Sequence, residues 1–391
     1  MQILSLAVWF SASAVGPTLQ HEWNISPTVG VWLTASVQIG FVVGAITSTS
    51  LSLADKFRPQ VLLGTCAAGA AVCTALLAAF VDDLAPAFGL RFLTGVFLAG
   101  VYPVGMKLMA SWSAPALRGK AFGLLIGALT LGSASPHLIS SIGDLPWRNV
   151  IAAAAVLAAV GAVTAFLFVR PGPFLETRMV SANPRYALTM FKENRPRLAN
   201  IGYFGHMWEL YALWTWLPMY LLTSQAKGQV EPFGIGLTVF GAMGIGGVAG
   251  AMFGGWAADR WGRPRAAAAA LAVSGMCCLV SPFMYGVGGP GKIAFLIIWG
   301  AAVIADSGVF STSLSESADQ RYIGTALTTQ TALGFLLTVI TMQLVPEFAV
   351  VVGWQYALLL LVPGPLVGFL AMQKLAKNES DLEKQTDVTP T

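Results

Sequence analysis

The chain has 391 residues, of which 56% are hydrophobic and only 10% charged, with a net charge of +4. Soluble domains carry about 25% charged residues, so a soluble enzyme, a disordered chain and a nucleic-acid binder are poor readings. The four cysteines (Cys66, Cys73, Cys277, Cys278) sit in two apolar stretches without CxxC or Cys/His spacing. They read as small buried hydrophobes, not as a metal site.

A membrane-spanning helix needs about 20 apolar residues. Twelve such runs follow in order: Gln2–Leu19, Pro27–Leu53, Pro59–Phe80, Pro86–Ser111, Ala121–Ile142, Val150–Val169, Leu198–Leu222, Phe233–Ala258, Ala266–Val287, Ile293–Ser311, Thr325–Leu344 and Val350–Met372. The expected fold is therefore all-α and integral to a membrane, with twelve transmembrane helices. The first run starts almost at Met1 with no basic leader or small-residue cleavage pattern, so a signal peptide is not expected. A start codon set too late is the alternative. Most loops are short. The exception, Arg170–Arg197, is polar and holds six Lys or Arg residues. Residues 1–170 and 199–375 are thus expected to form two six-helix halves, with 171–198 as linker and 376–391 as a polar tail without a lipidation motif.

Placing the N-terminus inside assigns 17 Lys and Arg residues to cytoplasmic loops and only Arg148, Lys227 and Lys292 to outer ones. That split obeys the positive-inside rule, with both termini cytoplasmic. Short loops and no targeting segment favour a bacterial inner membrane. Partners are expected to be the lipid bilayer, a small solute and a proton or counter-ion. No nucleic acid, no cofactor and no metal are expected, and the chain reads as a monomer.

The loop after the eighth run reads Gly255-Trp256-Ala257-Ala258-Asp259-Arg260-Trp261-Gly262-Arg263-Pro264-Arg265. Gly255 permits a close helix contact, Gly262 turns the chain, and Asp259 can cap a helix end while pairing with an arginine. This loop resembles the G-x-x-x-D-R-x-G-R-x-R signature of the major facilitator superfamily. The matching loop after the second run, Ala54-Asp55-Lys56-Phe57-Arg58-Pro59, keeps the acid and the bases but lacks both glycines. The fourth run adds Arg91-x-x-x-Gly95, then Gly100, Tyr102-Pro103, Trp112 and Arg118-Gly119-Lys120. The fifth carries Gly123, Gly127, Gly132 and Pro136, a helix-packing pattern of small residues. The resemblance covers residues 1–375. It implies two pseudo-symmetric six-helix halves, gating loops built on Asp55, Arg58, Asp259, Arg260 and Arg263, and a central cavity lined by helices 1, 4, 7 and 10.

Ionisable groups in hydrocarbon are functional candidates by default. Away from helix ends these are Arg91, Lys107, His137, His206, Glu209 and Asp306. All but His137 fall on helices that the resemblance assigns to the cavity. His206 and Glu209 stand three residues apart on adjoining positions of one helix face, and a histidine beside a carboxylate can share its proton. Glu209 is expected to lead proton coupling, with His206 and Asp306. Arg91, Glu209, Asp306, Trp208 and Tyr211 are expected to contact substrate. Lys107 reads as snorkelling toward the cytoplasmic mouth, and His137 as a helix-bonding residue. Glu316, Asp319 and Arg321 are expected to join the Asp259 loop in an inner ion-pair network.

The first run holds no acid and runs two and eight no arginine, which lowers the weight of proton-driven drug exporters and nitrate carriers. No Walker A motif appears, so a gradient or exchange supplies the energy. The expected function is secondary active transport of a small organic anion or zwitterion by proton-coupled alternating access, not enzymatic catalysis. The alternatives are an efflux pump for hydrophobic compounds and a non-transporting receptor or assembly factor on a carrier fold.

Overall fold

The computed structural model describes residues 1–51, 53–113, 118–143, 145–174, 185–225 and 233–387. The side chains of Ala54, Asp55, residues 118–120, Gln320 and residues 382–387 stand outside that description. Among the described residues all regular structure is helical. In chain order the α-helices are α1 (Gln2–Leu6), α2 (Ser11–Ala14), α3 (Gly16–Glu22), α4 (Pro27–Gly30), α5 (Trp32–Ser50), α6 (Leu53–Lys56), α7 (Pro59–Phe80), α8 (Leu84–Leu98), α9 (Tyr102–Trp112), α10 (Arg118–Ser140) and α11 (Trp147–Phe168). They continue as α12 (Tyr186–Thr189), α13 (Asn194–Gln225), α14 (Gly234–Val239), α15 (Gly247–Trp261), α16 (Arg263–Met284), α17 (Pro290–Ala305), α18 (Ser307–Ser317), α19 (Ile323–Val352), α20 (Trp354–Ala357) and α21 (Pro363–Asp387). A π-helical turn, Phe240–Gly246, joins α14 to α15.

Among the described residues, ten helical segments are long and apolar enough to cross a membrane by length and composition: Pro27–Ser50, Pro59–Phe80, Leu84–Trp112, Ala121–Ser140, Trp147–Phe168, Gly234–Trp261, Arg263–Met284, Pro290–Ser317, Ile323–Val352 and Trp354–Asp381. The first and seventh expected runs are outside this set. The first is not one helix but three short ones. The seventh, α13, is unbroken over 32 residues and carries Asn200, His206 and Glu209 in its buried face. Large apolar side chains such as Phe80, Val156, Phe168 and Phe283 point outward, as a hydrocarbon solvent allows.

Local sequence explains the helix ends. The Ser26 hydroxyl accepts from Val29 N–H at 3.2 Å, and Pro27 occupies the first position of α4, a preferred start. Gly262 turns between α15 and α16 at φ +85°, a conformation that side chains disfavour. Arg148 closes the end of α7 by donating to Ala78 O at 2.7 Å and Val81 O at 3.0 Å, a cation at a helix C-terminus.

The packing pairs repeat. Helix α5 packs on α8 and α7 on α11, while α15 packs on α17 and α16 on α21. Likewise α1 touches α10 and α11, as α13 touches α19 and α21. A Cβ at Gly40 would run into the Phe92 carbonyl of α8, and one at Gly254 into the Ala305 carbonyl of α17. Small residues thus set both close approaches. Two seams join the earlier helices to the later ones, α10 against α15 and α5 against α19. The second seam is tied at each end. The Thr28 hydroxyl donates to Glu347 Oε1 at 2.8 Å, and the hydroxyls of Thr49 and Thr328 meet at 2.9 Å.

Lys292 corrects the loop count of the sequence. It lies in the first turn of α17, fully buried, with Nζ donating to Ser224 Oγ at 2.9 Å. His137 is buried with its Nε2 unpartnered, so that atom makes no helix–helix bond.

Candidate functional site

Helix α17 ends at Ala305 and α18 begins at Ser307, so Asp306 occupies the break. Small residues surround it (Gly300, Ala301, Ala302, Ala305, Gly308). From the facing α13, His206 brings Nδ1 to 2.9 Å from Asp306 Oδ1, with both side chains 2% exposed. The other ring nitrogen, Nε2, lies 3.3 Å from Ser307 Oγ. Ser307 thus engages one imidazole nitrogen, while Asp306 Oδ1 stands close to the other without completing a hydrogen bond. The ring also packs on Phe310 and Tyr203. The helix interruption thus brings an acid and an imidazole together in the protein interior.

Glu209 faces the same side of α13, one turn further on. It is fully buried, and its Oε1 accepts from Trp299 Nε1 at 2.7 Å and from Cys278 Sγ at 3.3 Å. Its Oε2 has no partner. The expected neighbours His206 and Glu209 therefore share a helix face but not a bond. Glu209 knots α13 to α16 and α17, while His206 addresses the break. The partners Trp299 and Cys278 gave no sequence signal, because an indole and a thiol in apolar runs look like core.

Arg91 is fully buried and anchors the first segment. Its Nε donates to Leu33 O at 3.0 Å, Nη1 to Val8 O at 2.8 Å and Ser11 Oγ at 3.2 Å, and Nη2 to Trp9 O at 2.6 Å. Those carbonyls belong to the stretch between α1 and α2 and to α5. The guanidinium thus replaces backbone bonds lost where the first run breaks. This use differs from the anion contact expected of Arg91.

The broken stretch presents Trp9 and Phe10 to the later helices. Trp9 packs on Phe41, Tyr211 and Phe335 at centroid distances of 5.2, 6.1 and 5.6 Å. Phe10 stacks on Tyr211 at 5.5 Å and on Trp214 at 4.8 Å. The sequence reading picked out Tyr211 but not the rings that meet it; an aromatic pair amid the first apolar run was the available signal. Trp208 stands apart, its Nε1 donating to Leu360 O at 3.0 Å.

At the end of the bundle bearing the Asp259 loop, Arg263 pairs with Glu316, joining α16 to α18. Gly255 lies against Gly123 of α10. Asp259 and Arg263 line a cleft with Gly123, Gly255 and Thr312 between α10, α15 and α18. Arg260 lies over the Trp256 ring at 6.0 Å, and Arg58 is exposed. Arg321 does not join this group. It pairs with Asp319, two residues back, at 2.6 Å, and its side-chain bonds hold that carboxyl below the usual carboxylate range. A charge two residues away across a tight turn is reached without ordering a long side chain, which favours the local pair. The Asp55 side chain lies outside the described residues.

The sequence profile of the Major Facilitator Superfamily matches residues 1–342. The chain belongs to the major facilitator superfamily. It is 23% identical to a niacin transporter of Acinetobacter baylyi over 320 residues, 72% of this chain and 69% of that one. It is 28% identical to a putative niacin/nicotinamide transporter of Bacillus subtilis over 226 residues, about half of each chain (52%). It is 23% identical to a gallate transporter of Pseudomonas putida over 297 residues, 67% of this chain and 64% of that one. As a member of the major facilitator superfamily with ten apolar helices of spanning length, the chain is a multi-pass membrane transporter and not an enzyme.

Proposed function

We propose that the protein is a secondary active transporter of small aromatic carboxylic acids, driven by protons through alternating access. The observation that carries this is the ring cluster of Trp9, Phe10, Phe41, Tyr211 and Phe335, contributed by helices on both sides of the α5–α19 seam. The rings close on one another here, and parting them across the seam would offer flat aromatic faces suited to a flat ring. Two relatives are named for niacin and one for gallate, both aromatic acids, which supports the same class.

The repeated packing pairs support a division into halves at residues 1–170 and 199–375, with 171–198 as linker and 376–391 as tail. α1–α3 together and α13 then supply the first and seventh of twelve spans. The α5–α19 and α10–α15 seams are the surfaces that rock. The skewed Lys and Arg distribution supports a cytoplasmic location for the Asp259 loop and both termini, in a bacterial inner membrane, with the monomer as working unit. The Arg263–Glu316 pair and the Asp259 loop act as the inner gate, and Asp55, Arg58, Arg260, Gly255 and Gly262 belong to the same loops. Arg321 serves its own turn.

Proton handling falls to His206 and Asp306, because the pair sits where α17 gives way to α18. Glu209 holds three helices together, and Arg91 holds the broken first segment. Trp208 bonds to Leu360 instead of joining the ring cluster.

The experiment is uptake of radiolabelled benzoate, nicotinate and gallate into proteoliposomes under an imposed inward proton gradient. Saturable accumulation above that of protein-free liposomes, abolished by a protonophore, supports the proposal. The apolar walls also suit export of a hydrophobic compound. Proton-driven accumulation of a lipophilic dye in inside-out vesicles, with no acid uptake, would favour that reading.

A further inference from the structure

Two polar side chains beside the ring cluster have no partner. Gln38 is fully buried and neither its Oε1 nor its Nε2 is hydrogen-bonded. Trp9 is 2% exposed, with its Nε1–H equally unpaired. Buried groups of this kind are rare and costly, which points to a partner that comes and goes. Gln38 shares a face of α5 with Thr34, four residues before it, and Phe41, three after it. Thr34 meets the Ser13 hydroxyl at 2.7 Å, and Phe41 packs on Trp9. That face therefore addresses the first segment between Trp9 and Ser13, at the rim of the ring cluster.

We infer that Gln38 and Trp9 bind an uncharged planar donor–acceptor group of the substrate, an un-ionised carboxyl or a carboxamide. This rests on the aromatic-acid reading and narrows it. A primary amide offers one acceptor and two donors side by side. It matches the edge of a carboxylic acid or of another amide through two parallel bonds, and the indole N–H supplies a further donor. A carboxylate offers acceptors only, and would leave Oε1 of Gln38 facing negative charge. The charged and titratable groups of the helices around α5 and the ring cluster are Arg91 of α8, Glu347 of α19, Tyr102 and Lys107 of α9, and Tyr203, His206, Glu209 and Tyr211 of α13. Arg91 spends its bonds on Val8, Trp9, Ser11 and Leu33, and the tyrosines are neutral donors.

An acid bound in this form takes its own proton from the medium on one side and returns it on the other. The proton held at His206–Asp306 is separate. Acid and amide therefore move through the same cycle with the same protein-borne charge.

The test compares ring-matched probes in proteoliposomes of the full chain: benzoate, benzamide and benzenesulfonate. Radiolabelled benzoate uptake is measured at pH 5.5, 6.5 and 7.5. Its apparent KM, expressed as total acid, is expected to rise about tenfold per pH unit, following the un-ionised fraction. Benzamide competes at every pH with an unchanged inhibition constant, which corrects for titration of the protein itself. Benzenesulfonate, a permanent anion, does not compete. Gln38→Leu is expected to keep its thermal stability, since it removes only unpaired atoms, and to weaken benzamide competition about tenfold or more. Trp9→Phe keeps the ring and weakens it less. Sulfonate competition equal to benzoate's would assign recognition to Arg91 and overturn the inference, as would a KM that ignores pH relative to benzamide. Benzoate transport would then still stand, so the broader reading survives. Failure of both acid and amide to engage would sink both.

Discussion

His206 Nδ1 stands 2.9 Å from Asp306 Oδ1, at the point where α17 stops and α18 starts. Both side chains are buried, so removing either leaves the other's polar atoms in the interior without their neighbour. The pair spans α13 and the helix break.

Asp306→Asn is expected to abolish uphill accumulation of solute while leaving counterflow exchange within about threefold of wild type. A fixed neutral amide keeps the contact but cannot cycle a proton. His206→Gln is expected to behave alike. Uphill uptake retained in both variants would remove the pair from coupling.

Glu209→Gln is expected to fold and transport. The amide oxygen still accepts from Trp299, and the unpartnered Oε2 position takes an NH2. Glu209→Ala strands the buried Trp299 N–H and is expected to lose about 1–3 kcal/mol of stability, read as a lower unfolding temperature in detergent. Selective loss of proton-driven uptake in Glu209→Gln would instead return Glu209 to the coupling role that its position in α13 first suggests.

Arg91→Lys should lower stability without changing solute affinity. Lysine cannot reproduce the fork that reaches Leu33 on one side and Val8, Trp9 and Ser11 on the other. A cost of about 2–4 kcal/mol is expected from the lost charged bonds. A purified variant with wild-type stability and weakened benzoate binding would contradict this.

Ten of the apolar runs and the Asp259 loop were legible because each rests on a strong local signal: apolar length or a spaced motif. The break in the first run was not. The carbonyls it frees are met by Arg91, more than 80 residues away, and no local pattern announces a distant side chain that replaces backbone bonds. The candidate list drew out Asp306, His206 and Glu209 because charge in an apolar run is conspicuous. It passed over Trp9, Phe41 and Phe335 because rings in apolar runs are ordinary, and it passed over the pairing of Arg321 with Asp319 because sequence adjacency hides a tight turn.

The Arg263–Glu316 pair ties α16 to α18 at the Asp259 end. Glu316→Gln is expected to raise the labelling rate of a cysteine placed at Thr312, inside the cleft behind the pair, about threefold or more. The swap Arg263→Glu with Glu316→Arg should bring the rate back toward wild type. Labelling unchanged by Glu316→Gln would show that the pair does not hold this end closed.

Asp319 and Arg321 give a pH expectation with a definite sign. The carboxyl is held below its ordinary range by Arg321, so its contribution is present above the ordinary carboxylate pKa and is lost only as pH falls through the lower folded value. Asp319→Asn should therefore matter equally at pH 5.5 and 7.5 in thermal unfolding. A difference confined to pH 5.5 would contradict the local pair.

The central claim is proton-coupled carriage of an aromatic acid. Its most direct test is internal pH, recorded with a trapped dye, when benzoate is added to proteoliposomes at matched pH and clamped potential. The account predicts acidification that depends on the protein, saturates with benzoate and disappears in Asp306→Asn. Benzoate uptake without any proton movement, or equal acidification in Asp306→Asn, would contradict it.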